Sequence, residues 1–327
     1  MKAGWYENIG SAAEVINCGE MDDPKLNSGE VLVAVKSSGV NPSDVKTRAG
    51  ARGDLQFPRI IPHSDGGGVI QEVGEGVDKN RIGERVWLWN AAFARAFGTC
   101  AELISLPSEQ AVALPDHTSF EAAACLGVPT STAYYAVYCD GAVDGQNILV
   151  TGGAGAVGHY AIQLAKWGGA NVIATVSGDD KASVAQTAGA DLVINYKNDD
   201  VTRIVNDYTA GQGVQRIVEV EFGGNLGVSQ NILSPNGVIA AYGSVAEGNP
   251  VIPFYDLMFK GITLNTFLIY IVSQQARNNI VNGITKALNE NALSHQIAQT
   301  FELSELVAAH QSVETGSIIG NTIITIN

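Results

Sequence analysis

Asn147-Ile148-Leu149-Val150-Thr151-Gly152-Gly153-Ala154-Gly155-Ala156-Val157-Gly158 is the stretch that decides the fold of this chain. It reads as a buried strand, a glycine-rich turn and the opening of a helix. Gly153, Gly155 and Gly158 complete a G-x-G-x-x-G pattern. The pattern alone is weak, but here it follows an apolar strand and precedes an amphipathic run over 159–169, which is the context a dinucleotide-binding turn requires. Each glycine has a physical task. Gly153 permits a tight turn, Gly155 lets backbone approach a pyrophosphate, and Gly158 lets helix and strand pack closely. The helix N-terminus aims free N–H groups at the anion. A glycine-rich strand-to-helix turn with no ligand is the plainer alternative.

Working outward from this stretch, strand and helix alternate. Strands are expected at 148–151, 171–176, 191–195, 215–220, 237–242 and 262–269, with helices after Gly158 and over 181–188 and 201–208. Such alternation implies a parallel sheet of six strands with helices on both faces. Upstream, 121–126 and 133–137 read as helices. The first stretch, up to about residue 120, is β-rich, with short strands at 31–36, 69–73, 85–89 and 101–104 between Gly and Pro breaks, as in a barrel-like domain. Downstream, one long helix is expected from Ser273 to about Asn291. A final strand, Thr322-Ile323-Ile324-Thr325-Ile326, is expected to return to the first domain.

With 327 residues, 46% hydrophobic and 16% charged, the chain can bury a sizeable core over two domains. A net charge of −14 opposes binding to nucleic acid or an anionic membrane. Cys18, Cys100, Cys125 and Cys139 are scattered without a C-x-x-C pair, which suits a reduced, cytoplasmic protein better than a disulfide framework. The first residues lack the apolar core of a signal peptide, and no apolar run reaches membrane-spanning length.

Further motifs join the first. Gly145-Gln146-x-x-Leu149-x-x-x-Gly153-Ala154-Gly155-Ala156-x-Gly158-x-x-x-x-Gln163-x-x-Lys166 is accompanied by Gly39-Val40-Asn41-Pro42, Ser64-Asp65-Gly66-Gly67-Gly68-Val69, Gly74-Glu75-Gly76-Val77 and Gly83-Glu84-Arg85-Val86. Ala309-His310 and Gly316-Ser317-Ile318-Ile319-Gly320 lie near the C-terminus. From end to end the chain resembles the zinc-independent quinone oxidoreductase (zeta-crystallin-like) branch of the medium-chain dehydrogenase/reductase superfamily. Ala156 departs from that signature, which prefers Gly there. The resemblance implies an α/β fold: a GroES-like β-barrel catalytic domain, residues 1–125 completed by 268–327, and a Rossmann doubly wound six-stranded parallel-sheet domain, residues 126–267, that binds NADPH.

The zinc-dependent branch shares this layout, so its ligand positions are the test. Ser38, Ser64 and Val128 stand where that branch places its Cys, His and Cys, and none suits zinc. No metal is expected. His63, Ser64 and Asp65 do not make a catalytic relay, because adjacent residues on extended chain point to alternate sides. His63 departs from the Gly usual in the resembling family and is a candidate to line the substrate pocket.

The second strand of the alternating series ends Ala174-Thr175-Val176-Ser177-Gly178, without the carboxylate that would select NADH by bonding its ribose hydroxyl. By resemblance, Ser177, Lys181 and Tyr196 hold the 2′-phosphate of NADPH. A lysine cation and a phenol hydroxyl suit a dianion, whereas the adjacent Asp179 and Asp180 oppose it. The resemblance also assigns Gly153, Gly155, Ala156, Val157 and Gly158 to the diphosphate. Asn41, Thr132, Gly243, Ser244, Phe267, Leu268, Ile269 and Asn321 are assigned towards the nicotinamide end.

A metal-free site fits hydride transfer to activated acceptors, namely a quinone or an enone, since unactivated alcohols need Lewis-acid help. The acceptor is therefore a small molecule, with quinone reduction expected first and enone or enal reduction as the alternative. A non-catalytic NADPH-binding sensor or structural protein is the alternative of another class. Many family members carry a Tyr where this chain has Lys46. Lys46 and Arg48 are weak catalytic candidates for stabilising an oxyanion, the other reading being solvated surface charges. Trp89, in an aromatic segment over 87–97, is a candidate wall for a planar substrate, or equally a core residue. A homodimer is implied, paired through the apolar edge strand 262–269.

Overall fold

The computed structural model describes Met1–Asn327 as two compact units. Unit 1 comprises Met1–Val128 and His295–Asn327, and unit 2 comprises Pro129–Ser294.

Unit 1 opens with β1 (Lys2–Tyr6), α1 (Ala12–Val15), β2 (Ile16–Glu20), β3 (Glu30–Val40), α2 (Pro42–Arg48) and β4 (Asp65–Val73). It continues with β5 (Arg85–Leu88), β6 (Leu103–Pro107), β7 (Ala111–Ala113) and α3 (Phe120–Ala123). Unit 2 follows with α4 (Ser131–Tyr138), β8 (Asn147–Val150), α5 (Ala156–Trp167), β9 (Asn171–Val176), α6 (Asp179–Thr187), β10 (Leu192–Asn195) and α7 (Val201–Tyr208). It ends with β11 (Val214–Glu219), α8 (Phe222–Ile232), β12 (Leu233–Ala241), α9 (Phe254–Lys260), β13 (Thr263–Thr266) and α10 (Gln274–Asn289). The chain then returns to unit 1 as β14 (Ile297–Glu302), α11 (Leu306–Glu314) and β15 (Asn321–Thr325).

In unit 1 the long strand β3 is the hub. It pairs antiparallel with β4, β6 and β15, within the order β14-β15-β3-β4-β5-β7. The expected C-terminal return strand is thus β15, with Ile323 opposite Gly39. Alternating Val31, Val33 and Val35 reach a core shared with Ile70, Val86, Ile104, Leu106 and Ile324. Burial of that apolar surface is the main force holding the unit together.

Unit 2 is the alternating part. Its six strands run in the order β10-β9-β8-β11-β12-β13, all parallel. Strands covered on both faces must be apolar at every position, and Ile148, Leu149 and Val150 of β8 are accordingly buried throughout. The order reverses between β8 and β11, the switch point where a doubly wound sheet opens a crevice beyond its strand ends.

The boundary differs from expectation. Residues 268–294, assigned from the sequence to the first domain, belong to unit 2, where α10 packs against α4. The contact is intimate, because a β-carbon on Gly283 would overlap the ring of Tyr134. The apolar stripe of α10, with Ile280, Ile284, Ala287 and Leu288 buried, is what commits it to that neighbour. The elements β14 and α11 were not anticipated. β14 has a largely exposed, weakly patterned sequence and is held by parallel pairing with β15.

Candidate cofactor-binding site

The glycine-rich turn lies at the C-terminal end of β8, in unit 2. The left-handed residue is Gly152 (φ 65°), so the tight turn falls one position before the expected Gly153. Gly153 serves close packing instead, since a β-carbon there would lie 2.8 Å from that of Ala174. At Gly155 the added atom would meet only Gly152 O, at 3.3 Å. That open side is what a phosphate needs. Gly158 is the most constrained, as its β-carbon would lie 2.2 Å from Gly152 O. Gly155 is the N-cap of α5, whose first residues are Ala156 and Val157. The first-turn N–H groups of this twelve-residue helix have no partner within it and favour an anion.

Beyond the end of β9, Lys181 Nζ donates to Ser177 Oγ at 3.1 Å. The Tyr196 amide donates to Val176 O at 3.1 Å, which fixes the start of the exposed Tyr196 side chain beside the same strand end. Ser177, Lys181 and Tyr196 are therefore gathered. Asp179 and Asp180 occupy the exposed first turn of α6, where carboxylates suit the helix dipole.

At the ends of β12 and β13 a recess of about 570 Å³ is lined by Tyr242, Gly243, Ser244, Phe267 and Leu268, among others. It joins four of the residues assigned to the nicotinamide end. Ile269 is buried. The wall is aromatic, with Phe267 packed on Tyr135 (centroids 4.7 Å apart) and on Tyr242 (6.1 Å). The loop after Tyr242 is pinned: Ser244 Oγ accepts from the Gly223 amide at 2.9 Å, and the Glu221 carboxylate accepts from the Val245 and Ala246 amides at 2.8 and 3.0 Å. Thr132 is buried in α4.

In unit 1, Asn41 and Asn321 are buried and positioned. Asn41 Nδ2 donates to Asp65 Oδ2 at 2.7 Å, and the Asn41 amide donates to Asp44 Oδ2 at 2.8 Å across the start of α2. Burial pushes the Asp44 carboxyl up to about 7 against those bonds. Asn321 Nδ2 donates to Gln296 O at 3.0 Å.

The two catalytic candidates part company. Lys46 is exposed, whereas Arg48 is fully buried. The Arg48 guanidinium donates to Gly10 O and pairs with Glu314, so Arg48 is no solvated surface charge. His63 is likewise fully buried, with Nδ1 at 2.8 Å from Ser38 Oγ and Nε2 at 3.0 Å from His310 Nε2. Its φ of 78° is a conformation natural to glycine, which accounts for the Gly usual there in the resembling family. Ser38 also bonds Thr99 Oγ1 at 2.7 Å. The partner of His63 is thus Ser38, not its neighbour Ser64. Burial, then the facing imidazole, hold His63 well below the ordinary histidine range. Burial, then the Arg48 charge, push His310 down to about 3. Trp89 is 6% exposed, with Nε1 donating to Glu109 O at 3.2 Å, in the manner of a core residue.

The positions that bind zinc in the related branch do not offer its donors. Ser38 and Ser64 are buried hydroxyls and Val128 has no donor atom. No group of three or more His, Cys, Asp or Glu side chains is arranged to hold a metal ion.

Sequence and structure comparisons agree with this geometry. Residues 27–116 match the alcohol dehydrogenase GroES-like domain, and residues 156–284 match the zinc-binding dehydrogenase family. An alcohol dehydrogenase of Geobacillus stearothermophilus is 32% identical over 81% of this chain and 83% of its own length. A 2-haloacrylate reductase of a Burkholderia species is 28% identical, with 90% of each chain covered. Among solved structures, a Pseudomonas syringae quinone oxidoreductase has a TM-score of 0.86 and 25% identity over 99% of both chains. A mycobacterial protein complexed with NADPH has a TM-score of 0.86 and 25% identity over the full length of both. Fold and site together define a nicotinamide-dependent oxidoreductase built from a GroES-like unit and a Rossmann unit. The chain belongs to the medium-chain dehydrogenase/reductase superfamily, as its 32% identity to the Geobacillus enzyme over four-fifths of its length shows.

Proposed function

We propose that the protein is a metal-independent NADPH:quinone oxidoreductase. The observation that carries the cofactor choice is the Ser177–Lys181 pair beyond β9, where the strand end lacks the carboxylate that would claim a ribose 2′-hydroxyl. Gly153, Gly155, Ala156, Val157 and Gly158 would hold the diphosphate, and Ser177, Lys181 and Tyr196 the 2′-phosphate. Within unit 2, Gly243, Ser244, Phe267, Leu268 and Ile269, with Thr132, would lie about the nicotinamide. When bound, NADPH supplies a hydride. The part of this chain is then to orient the reacting carbons and exclude water. The pinned 243–247 loop and the aromatic wall around Phe267 serve orientation. A reduced quinone is stable enough as an anion to take its proton from solvent, so no strong protein acid is required. Of the two cationic candidates Lys46 is the exposed one, and it would be the cation to meet such an anion. His63 and Trp89 would act on the substrate only by shaping the backbone around it, since both are buried.

The similarity to a 2-haloacrylate reductase favours a second reading, reduction of a polarised carbon–carbon double bond. The two readings share every cofactor residue and differ only in acceptor. The subunits would pair through 262–269. β13 is an edge strand, and Leu264, Leu268, Tyr255 and Phe259 near it are exposed. No helix is long and apolar enough to cross a membrane, and all four cysteines are free thiols, which suits a reducing cytoplasm. The deciding experiment is cofactor oxidation with matched quinone and enone acceptors. Turnover on quinones supports the first reading and turnover on enones alone the second. Tight NADPH binding without turnover would make the protein a sensor or structural protein.

A further inference from the structure

We infer that Glu219 is the positioning residue of the cofactor site, setting the glycine-rich turn against the 243–247 loop. The inference rests on the reading of unit 2 as an NADPH site. Glu219 ends β11 at the switch point of the sheet and has no exposed surface. One carboxylate oxygen, Oε1, accepts from three donors: Thr151 Oγ1 at 2.8 Å, the Glu221 amide at 2.7 Å and Asn225 Nδ2 at 2.9 Å. Each donor belongs to a different piece of the site. Thr151 immediately precedes the left-handed Gly152, and its hydroxyl also accepts from the Val220 amide at 3.0 Å. Glu221 holds the Val245 and Ala246 amides. Asn225 lies in the first turn of α8, the helix whose start binds Ser244. On the far side, the Glu219 carbonyl accepts from the Tyr242 amide at 3.0 Å, just before Gly243.

A buried carboxylate needs donors, and one placed among strand ends needs a reason to be there. Here it spans the gap that a doubly wound sheet leaves at its switch point. A neutral apolar side chain cannot do this, because it offers the amides and the Thr151 hydroxyl nothing to bond. Glu219 touches no reacting atom. It acts through Thr151 and Glu221.

The test compares Glu219→Ala and Glu219→Gln with Val205→Ala in the full-length protein. Val205 is a fully buried core residue of α7, outside the site. NADPH dissociation constants are read by quenching of protein fluorescence, alongside thermal melting. Glu219→Ala should weaken NADPH binding about tenfold, as loss of a charge-assisted bond network implies. The NADPH-to-NADH affinity ratio should be unchanged, because Ser177 and Lys181 lie on the other side of β8. Glu219→Gln keeps an acceptor oxygen and should recover affinity to within about threefold of wild type. Val205→Ala should lower the melting temperature and leave affinity alone. If Glu219→Ala does not fold, Thr151→Val removes one strut of the same bridge and should weaken binding about threefold. Wild-type affinity in Glu219→Ala, or in Thr151→Val where that variant stands in for it, would overturn the inference. So would an equal loss in Val205→Ala at matched melting temperature. Failure of the wild type to bind NADPH would instead overturn the cofactor reading itself.

Discussion

The His63–His310 pair makes acid stability the sharpest physical prediction. Both rings are buried without exposure, and their Nε2 atoms share one proton at 3.0 Å. His310 is pushed down to about 3, with burial the larger cause and Arg48 the second. A histidine with a lowered folded pKa is protonated far more readily in the unfolded chain, where the value is about 6.5. Its neutral state therefore costs nothing above pH 6.5, and stability drains away as pH falls from 6.5 towards 3. At pH 5 the unfolded chain gains about 2 kcal/mol from protonating His310 alone. Replacing it by Gln removes that gain. His310→Gln is expected to be less stable than wild type at pH 8, because His63 Nε2 loses its partner. The difference should shrink by about 2 kcal/mol between pH 8 and pH 5, or roughly 4–8 °C in melting temperature for a unit of this size. The Asp44 carboxyl, raised to about 7, titrates in the same window with opposite sign, so the comparison must be between variant and wild type at each pH. Chemical denaturation followed by circular dichroism measures it. A wild-type-to-variant offset independent of pH would refute the argument.

Three further outcomes are expected. Gly158→Ala should cost about 1–3 kcal/mol by overpacking and abolish measurable NADPH binding, because the new methyl would lie 2.2 Å from Gly152 O; calorimetric titration and melting check both halves. Lys181→Ala should weaken NADPH about tenfold and leave NADH nearly unaffected, since only the former carries the phosphate that the lysine would pair. Leu264→Lys, on the unpaired edge of β13, should convert a dimer to a monomer in sedimentation velocity, because a charge there opposes strand pairing; a wild-type monomer would refute that interface.

The glycine motif, the six strands of unit 2 and the return of β15 were legible because their signals are local. Apolar runs, spacing and glycine positions do not depend on distant partners. The role of Gly152 was not, since its positive φ is set by the whole turn. The burial of Arg48 and His63 is illegible for a related reason. A charge in a short helix and a polar residue in a loop both read as surface, and only the packed structure reveals Glu314 beside Arg48 and His310 beside His63. The same holds for α10: its periodicity was clear, but its partner α4 was invisible. Glu219 does leave a trace, as a carboxylate among the apolar residues Ile217, Val218 and Val220. Nothing in the sequence said that three donors converge on it.

Metal-independent reduction of a quinone by NADPH is measured by following NADPH oxidation with purified, chelator-treated protein and a soluble quinone, with an enone and NADH in parallel. Quinone-dependent turnover that survives chelation and prefers NADPH is the predicted result. Activity lost on chelation, or turnover with NADH alone, would contradict it.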